Sequence, residues 1–311
     1  MKLPRNVLRL EGMDESLTRD PRRAEMADLL RSRRERLTVE SAGLPQRARR
    51  RTPGLRREEV AELAEISIAL YTWLEQGRDF PVSHRTIDAV ATALQLSTGE
   101  RAHLHSLISR ESTDLCEDVT PALRRFVHSL SGPAFVLNRG WDIVLRNAEA
   151  AGVFGGSPDL EERRNLLLEV FTEPECAARF TDYDVVAENV VAMFRLDYAA
   201  RIDDPRTQDL VERLRTSVPA FEAAWQEHRI REHPEGVREI THPAAGSMKL
   251  VPSIYGVAES PGLRVMVFNA TDEVTASRVA RVTEAFRAAT RTNNDIAPRT
   301  AKAQERHQAY G

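Results

Sequence analysis

Thr52-Pro53-Gly54-Leu55-Arg56-Arg57-Glu58-Glu59-Val60-Ala61-Glu62-Leu63-Ala64-Glu65-Ile66-Ser67-Ile68-Ala69-Leu70-Tyr71-Thr72-Trp73-Leu74-Glu75-Gln76-Gly77-Arg78 is the stretch from which the rest of the chain is read. Val60, Leu63 and Ala64 recur at i, i+3 and i+4 among polar neighbours, the spacing of one buried helix face. Ser67 is placed to cap a second helix, in which Tyr71 and Leu74 continue the inward stripe. Gly77 supplies the C-terminal stop. The pattern predicts two short helices joined by a tight turn, with Ser67, Ile68, Ala69 and Thr72 on the outward side of the second.

Outward from this pair, the neighbouring segments complete an all-α domain. Residues 1–22 mix charges with Pro4, Gly12 and Pro21 and read as a mobile arm. From Ala24, Met26, Leu29, Leu30 and Leu37 keep a helical spacing, with Arg31, Arg33, Arg34 and Arg36 between them. Glu40 to Gly54 holds Gly43, Pro45, Pro53 and Gly54 around Arg47, Arg49, Arg50 and Arg51, so it reads as a basic loop. After Gly77, Ser83 opens a helix with Ile87, Val90, Ala91 and Leu94 on its inner face, and Thr98 to Ile108 forms a fifth. The expected unit is a five-helix domain over 23–110.

Two helices joined by a turn, flanked by an arginine cluster, suit a helix that enters the major groove of double-stranded DNA. Ser67, Ile68, Ala69, Thr72 and Trp73 are the expected base readers. Arg56, Arg57 and Arg78 at helix ends, with Arg49, Arg50 and Arg51 in the loop, are the expected backbone contacts, because phosphates position a reader without informing it. The formal net charge of −3 hides this basic segment: from Arg31 to Glu40 and on to the loop, arginines greatly outnumber acids.

A polar stretch at 111–120 reads as a linker. Beyond it the period changes. Ala134 to Asn138 and Trp141 to Arg146 are strand-like runs separated by Arg139-Gly140, a hairpin signal. Helices follow at Asn147–Phe154, Asn165–Phe171, Tyr183–Ala200, Thr207–Ser217 and Pro219–His228, then strands at Val237–Thr241, Ser247–Val251 and Leu263–Asn269. This order predicts an α+β domain over 121–289, an antiparallel sheet with helices on one face, similar to PAS-type sensor domains. A last helix is expected over Val274 to Ala289, with a disordered tail at 290–311.

Cys116 and Cys176 lie in unrelated contexts without metal-ligand or disulfide spacing, so no metal is expected. No window approaches the roughly eighteen apolar residues of a membrane span, and no export signal precedes the first helix, so the expectation is a cytoplasmic protein without membrane contact. His228, His233 and His242 show no HExxH spacing, and no nucleophile-elbow pattern accompanies any serine. No enzyme and no cofactor are expected.

Leu55-Arg56-Arg57-Glu58-Glu59-Val60-Ala61 with Tyr71-Thr72-Trp73-Leu74-Glu75-Gln76-Gly77-Arg78 resembles the lambda-repressor-like helix-turn-helix regulators of the XRE family. The second half is similar to the MmyB-type ligand-binding domain of its actinobacterial branch, through Trp141-Asp142, Arg163-Arg164-Asn165-Leu166-Leu167, Phe171-Thr172-Glu173-Pro174, Asp203-Asp204-Pro205, Trp225-Gln226-Glu227-His228 and His242-Pro243. The resemblance implies a transcriptional regulator, a homodimer, controlled by a small, largely apolar, fatty-acid-like ligand between sheet and helices. Phe135, Trp141, Phe154, Phe171, Met193, Phe194, Tyr198, Trp225 and Tyr255 are the available lining. The family has glycine at the turn where this chain has Glu65, so Glu65 must tolerate positive φ or the turn must change shape. Two other readings stay open: a DNA-tethered enzyme using His228 or His242, and a second domain that senses a protein partner.

Overall fold

The computed structural model describes residues 20–44, 54–109, 116–155, 164–231, 233–234 and 236–308, with side chains as far as Arg291. Arg47, Arg49, Arg50 and Arg51, residues 1–19 of the expected arm, residue 110 and 111–115 of the expected linker lie outside the described residues. The chain divides into two compact units between Leu96 and Ser97.

Unit 1 holds α1 (Pro21–Arg36), α2 (Arg57–Leu63), α3 (Ile68–Glu75) and α4 (His84–Ala93). The first begins three residues before Ala24, because Asp20 caps it by accepting from the Arg22 amide at 3.0 Å and Pro21 presets the first helical φ. Ser67 and Ser83 cap α3 and α4, accepting from the Leu70 and Thr86 amides at 3.1 Å each. Met26, Leu29, Leu30, Val60, Tyr71, Leu74, Ile87 and Val90 make the core. The turn between α2 and α3 keeps its shape: Glu65 adopts φ 53°. Gly54 is fixed by close approach, since a Cβ there would stand 2.4 Å from the Glu35 carbonyl oxygen.

The second unit starts with α5 (Thr98–Ile108), which the sequence reading grouped with the first four helices; it packs on α10 (Tyr183–Ala200). Next come α6 (Pro121–Ser129), β1 (Ala134–Asn138), β2 (Asp142–Arg146), α7 (Ala148–Phe154), β3 (Arg164–Asn165), α8 (Leu166–Thr172) and α9 (Pro174–Arg179). After α10 follow α11 (Pro205–Ser217), α12 (Pro219–Gln226), β4 (Arg238–His242), β5 (Gly246–Gly256), β6 (Leu263–Ala270) and α13 (Glu273–Gln308). Among the described residues the strands form one antiparallel sheet of order β3-β2-β1-β6-β5-β4.

One face of the sheet, with Phe135, Leu137, Ile143, Met266 and Phe268, packs on α7, α8, α10, α12 and α13. The opposite face, with Val136, Leu145, Val265 and Val267, is partly covered by Leu123 and Val127 of α6, so one short helix departs from the one-sided layering expected.

Three further differences in boundary from the sequence reading have a local cause. β5 runs on through Pro252 to Gly256 instead of stopping at Val251; past Leu250 it has no β4 partner, so the missing proline N–H removes no bond from that side. Helix α13 continues to Gln308 beyond the expected end at Ala289. The lack of an apolar stripe there suggested disorder, yet Ala301, Lys302, Ala303, Gln304, Glu305 and Arg306 are strong helix formers. Finally, α8 starts at Leu166 because Asn165 caps it while also pairing with Asp142 as β3.

Candidate functional site

Helix α3 is two-faced. Tyr71, Leu74 and Glu75 are buried, whereas Ser67, Ile68 (54 % exposed), Ala69 and Trp73 (42 %) face solvent and Thr72 is half-buried. Large apolar groups on an outward helix face are suited to contact with thymine methyls. What holds this face is a buried charge. The Glu75 carboxylate, with no exposed surface, accepts from Arg34 Nε and Nη2, the latter at 3.3 Å, and from Arg57 Nε at 2.6 Å. Arg34 Nη1 also donates to the Leu55 carbonyl at 3.0 Å, which ties α1, α3 and the start of α2 together. Burial alone would raise the Glu75 pKa; the hydrogen bonds from Arg34 and Arg57 outweigh it and hold the carboxyl below its ordinary value.

Of the arginines expected on DNA phosphates, Arg57 is thus engaged inward, and Arg56 pairs with Glu58 at 3.4 Å. Arg78 is exposed, its guanidinium 5.8 Å from the Trp73 ring centroid.

The second site is a cavity of about 170 Å³ in unit 2, between the inner face of the sheet and helices α8 to α10. Its apolar wall centres on Phe135, Phe154 and Phe268, whose ring centroids are 4.8 to 6.4 Å apart. Helix α10 contributes Val186, Asn189, Val190 and Met193, one stripe at i, i+3, i+4 and i+7. Asn189 is 6 % exposed, and among the described residues its side-chain amide has no hydrogen-bond partner.

The cavity is also rich in arginine. Arg146, 2 % exposed, donates to the Gly155 carbonyl at 2.6 Å and through Nη2 to both Glu169 oxygens at 3.1 Å. Arg179 donates to the Phe154 carbonyl, and the buried Arg238 stands 3.7 Å from Asp182. Arg146 reaches this side because of a bulge. The register shifts between Val136 and Leu137, so Leu137 pairs with Ile143 while Phe135 pairs with Arg146. The extra residue puts Ile143 and Leu145, two apart in sequence, on opposite faces. Cys176 also lines the cavity, and burial pushes its thiol up to about 11, leaving it neutral.

Of the nine side chains expected as lining, Phe135, Phe154 and Met193 face this cavity. Trp141, Phe194, Tyr198, Trp225 and Phe171 do not; with Phe221 they pack on one another, Trp141 to Phe194 at 5.7 Å and Phe221 stacked on Trp225 at 5.5 Å. Trp141, at φ 65°, also donates from Nε1 to Asp197 at 2.7 Å. Tyr255 is exposed on the outer face of β5. The sequence reading missed Arg146, Glu169, Arg179, Asn189 and Arg238. The α10 stripe was the one available signal, since a lone Asn among Val186, Val190 and Met193 marks a polar group facing an apolar wall. Neither His228 nor His242 lines the cavity.

Among the described residues no cluster of histidine, cysteine and acidic side chains is arranged to hold a metal, and no helix is long and apolar enough to cross a membrane. A family model described as the MmyB-like transcription regulator ligand binding domain matches residues 119–282, and one described as a helix-turn-helix domain matches residues 25–104. Neither describes an enzyme. No curated protein matches the chain.

Proposed function

The chain belongs to the MmyB-like transcription regulators, with a DNA-binding helix-turn-helix followed by a ligand-binding domain, and from that premise we propose that a small, largely apolar acid in the unit 2 cavity controls its grip on DNA. It acts as a cytoplasmic homodimer and has no enzymatic activity. The observation that carries the ligand class is the composition of the cavity. Phe135, Phe154, Phe268, Val190 and Met193 give a tail an apolar lining, worth about 0.8 kcal/mol per buried methylene. At the polar end, Asn189 has an unused amide, and Arg146, Arg179 and Arg238 together give that end of the cavity the positive lining that suits a carboxylate.

On the DNA side, Ser67, Ile68, Ala69 and Thr72 present the reading face with Trp73 beside them, while Arg78 and the loop arginines Arg49, Arg50 and Arg51 neutralise phosphates; Arg57, held by Glu75, and Arg56, paired with Glu58, serve the scaffold instead. Two recognition helices in a dimer must stand about 34–36 Å apart to enter successive major grooves. A ligand shifts that arrangement only through unequal affinity for the competent and incompetent states. The enzyme alternative loses support because neither His228 nor His242 lines the cavity.

Native mass spectrometry of the purified full chain tests the ligand class. The expected spectrum shows a bound mass that is lost on denaturation and identified as a mainly aliphatic or aromatic acid. Bare polypeptide mass, together with no thermal stabilisation by added dodecanoate, would contradict it.

A further inference from the structure

Along one side of unit 1, guanidinium groups and rings alternate. The Arg23 guanidinium carbon stands 5.8 Å from the Phe80 centroid, Phe80 meets Trp73 edge-on at 5.8 Å, and Arg78 stands 5.8 Å from the Trp73 centroid. Trp73 follows Ala69 by one helical turn, so its indole extends the outward face of α3. The segment after α3 is closely packed: Gly77 turns at φ 63°, and a Cβ there would come 3.0 Å from the Arg23 carbonyl oxygen, a tight contact. Arg23 Nη2 then donates to the Phe80 carbonyl at 2.8 Å, joining residues 77–80 to α1. Arg78 emerges from this anchored segment over an indole that leaves 42 % of its surface in solvent.

The charge pattern separates Arg78 from its neighbours. Arg57 bonds Glu75 and Arg56 pairs with Glu58, whereas Arg78 has no carboxylate partner among the described residues. A free arginine loses much of its rotamer freedom when it binds an anion; one already laid on an aromatic face loses less. We propose that Trp73 is a positioning residue that holds the Arg78 guanidinium beside the recognition helix as a clamp on a DNA phosphate. The clamp rests on the reading of unit 1 as a DNA binder. It adds sequence-independent affinity at the C-terminal end of α3, while Ile68 and Ala69 act at the N-terminal end.

The test measures equilibrium binding of the full chain to a random-sequence duplex over a range of salt concentrations, for wild type, Trp73→Ala, Trp73→Phe, Arg78→Ala and the Trp73→Ala/Arg78→Ala pair. Arg78→Ala is expected to reduce the slope of log K against log salt by about 0.9. Trp73→Ala is expected to weaken binding about three-fold, the size of an exposed cation–π contact, and Trp73→Phe to restore most of it. In the Arg78→Ala background the tryptophan change should have no further effect. Equal weakening by Trp73→Ala in both backgrounds would overturn the clamp, because Trp73 would then touch DNA itself. Wild-type binding by all the variants would overturn it too. A wild-type chain that does not bind the duplex would overturn the DNA reading beneath it, a result distinct from either.

Discussion

The helix-turn-helix and the cavity solve opposite problems. In the first, twelve consecutive residues from Ser67 to Arg78 supply an exposed surface, and the scaffold beneath it depends on one buried carboxylate, Glu75, shared between Arg34 and Arg57. In the second, the candidate surface is concave and drawn from all six strands and α7 to α10, and its charges are mostly paired with one another. A surface local in sequence is exposed to failure at a single anchor. A cavity assembled from many elements tolerates loss of one contact, but is sensitive to anything that fills it.

The largest expected effect is therefore at the anchor. Glu75→Gln leaves the buried Arg34 with only the exposed Glu35, 3.3 Å away, as a counter-charge and takes that of Arg57 away; it is expected to cost about 3–5 kcal/mol, the usual penalty for breaking a buried pair. Denaturant unfolding of the full chain would measure it, and the mass of any cavity occupant should be unchanged. The same carboxylate gives unit 1 an acid limit. Its folded pKa lies below the unfolded one, so its contribution is complete above the usual carboxylate range and is lost as the pH falls through the folded value. Unfolding curves at falling pH should show this loss in wild type and not in Glu75→Gln.

Filling the cavity should have the reverse signature. Val190→Trp overpacks the α10 stripe at a cost of about 1–3 kcal/mol, removes the bound mass in native spectra, and leaves binding to DNA in the absence of ligand intact. If occupancy persists, the ligand lies elsewhere. Gly77→Ala comes next: a left-handed φ and a Cβ 3.0 Å from the Arg23 carbonyl should cost about 1–2 kcal/mol, read as a lower melting temperature with weaker DNA binding. Glu65→Gly is the smallest and has the opposite sign. Relief of φ 53° exceeds the added entropy of the unfolded chain, so a gain of up to about 1 kcal/mol is expected; equal melting temperatures would show that Glu65 carries no strain.

The contrast also explains what was legible in the sequence. Caps and periodicity reveal α2, α3 and α4 because both are properties of a few adjacent residues, and of the two outcomes that a non-glycine at the turn leaves open, positive φ or a changed turn, Glu65 takes the first. In unit 2 most strands and helices were readable for the same reason, but the short α9 and the two-residue β3 were not. The cavity was not. Aromatic residues were nominated for size, but size also favours packing on one another, as Trp141, Phe194 and Trp225 do. Arg146 could not be placed by alternation, since the bulge at Val136/Leu137 reverses its side of the sheet. Arg57, a natural phosphate contact by position, turns inward to a glutamate eighteen residues away.

What joins the two halves is control of one by the other, and it is measured most directly as the affinity of the ligand-free full chain for a duplex selected from a randomised pool, with and without saturating dodecanoate. A change of about 5- to 150-fold in wild type, absent in Val190→Trp, is the predicted result. An unchanged affinity in wild type, or the same change in Val190→Trp, would contradict it.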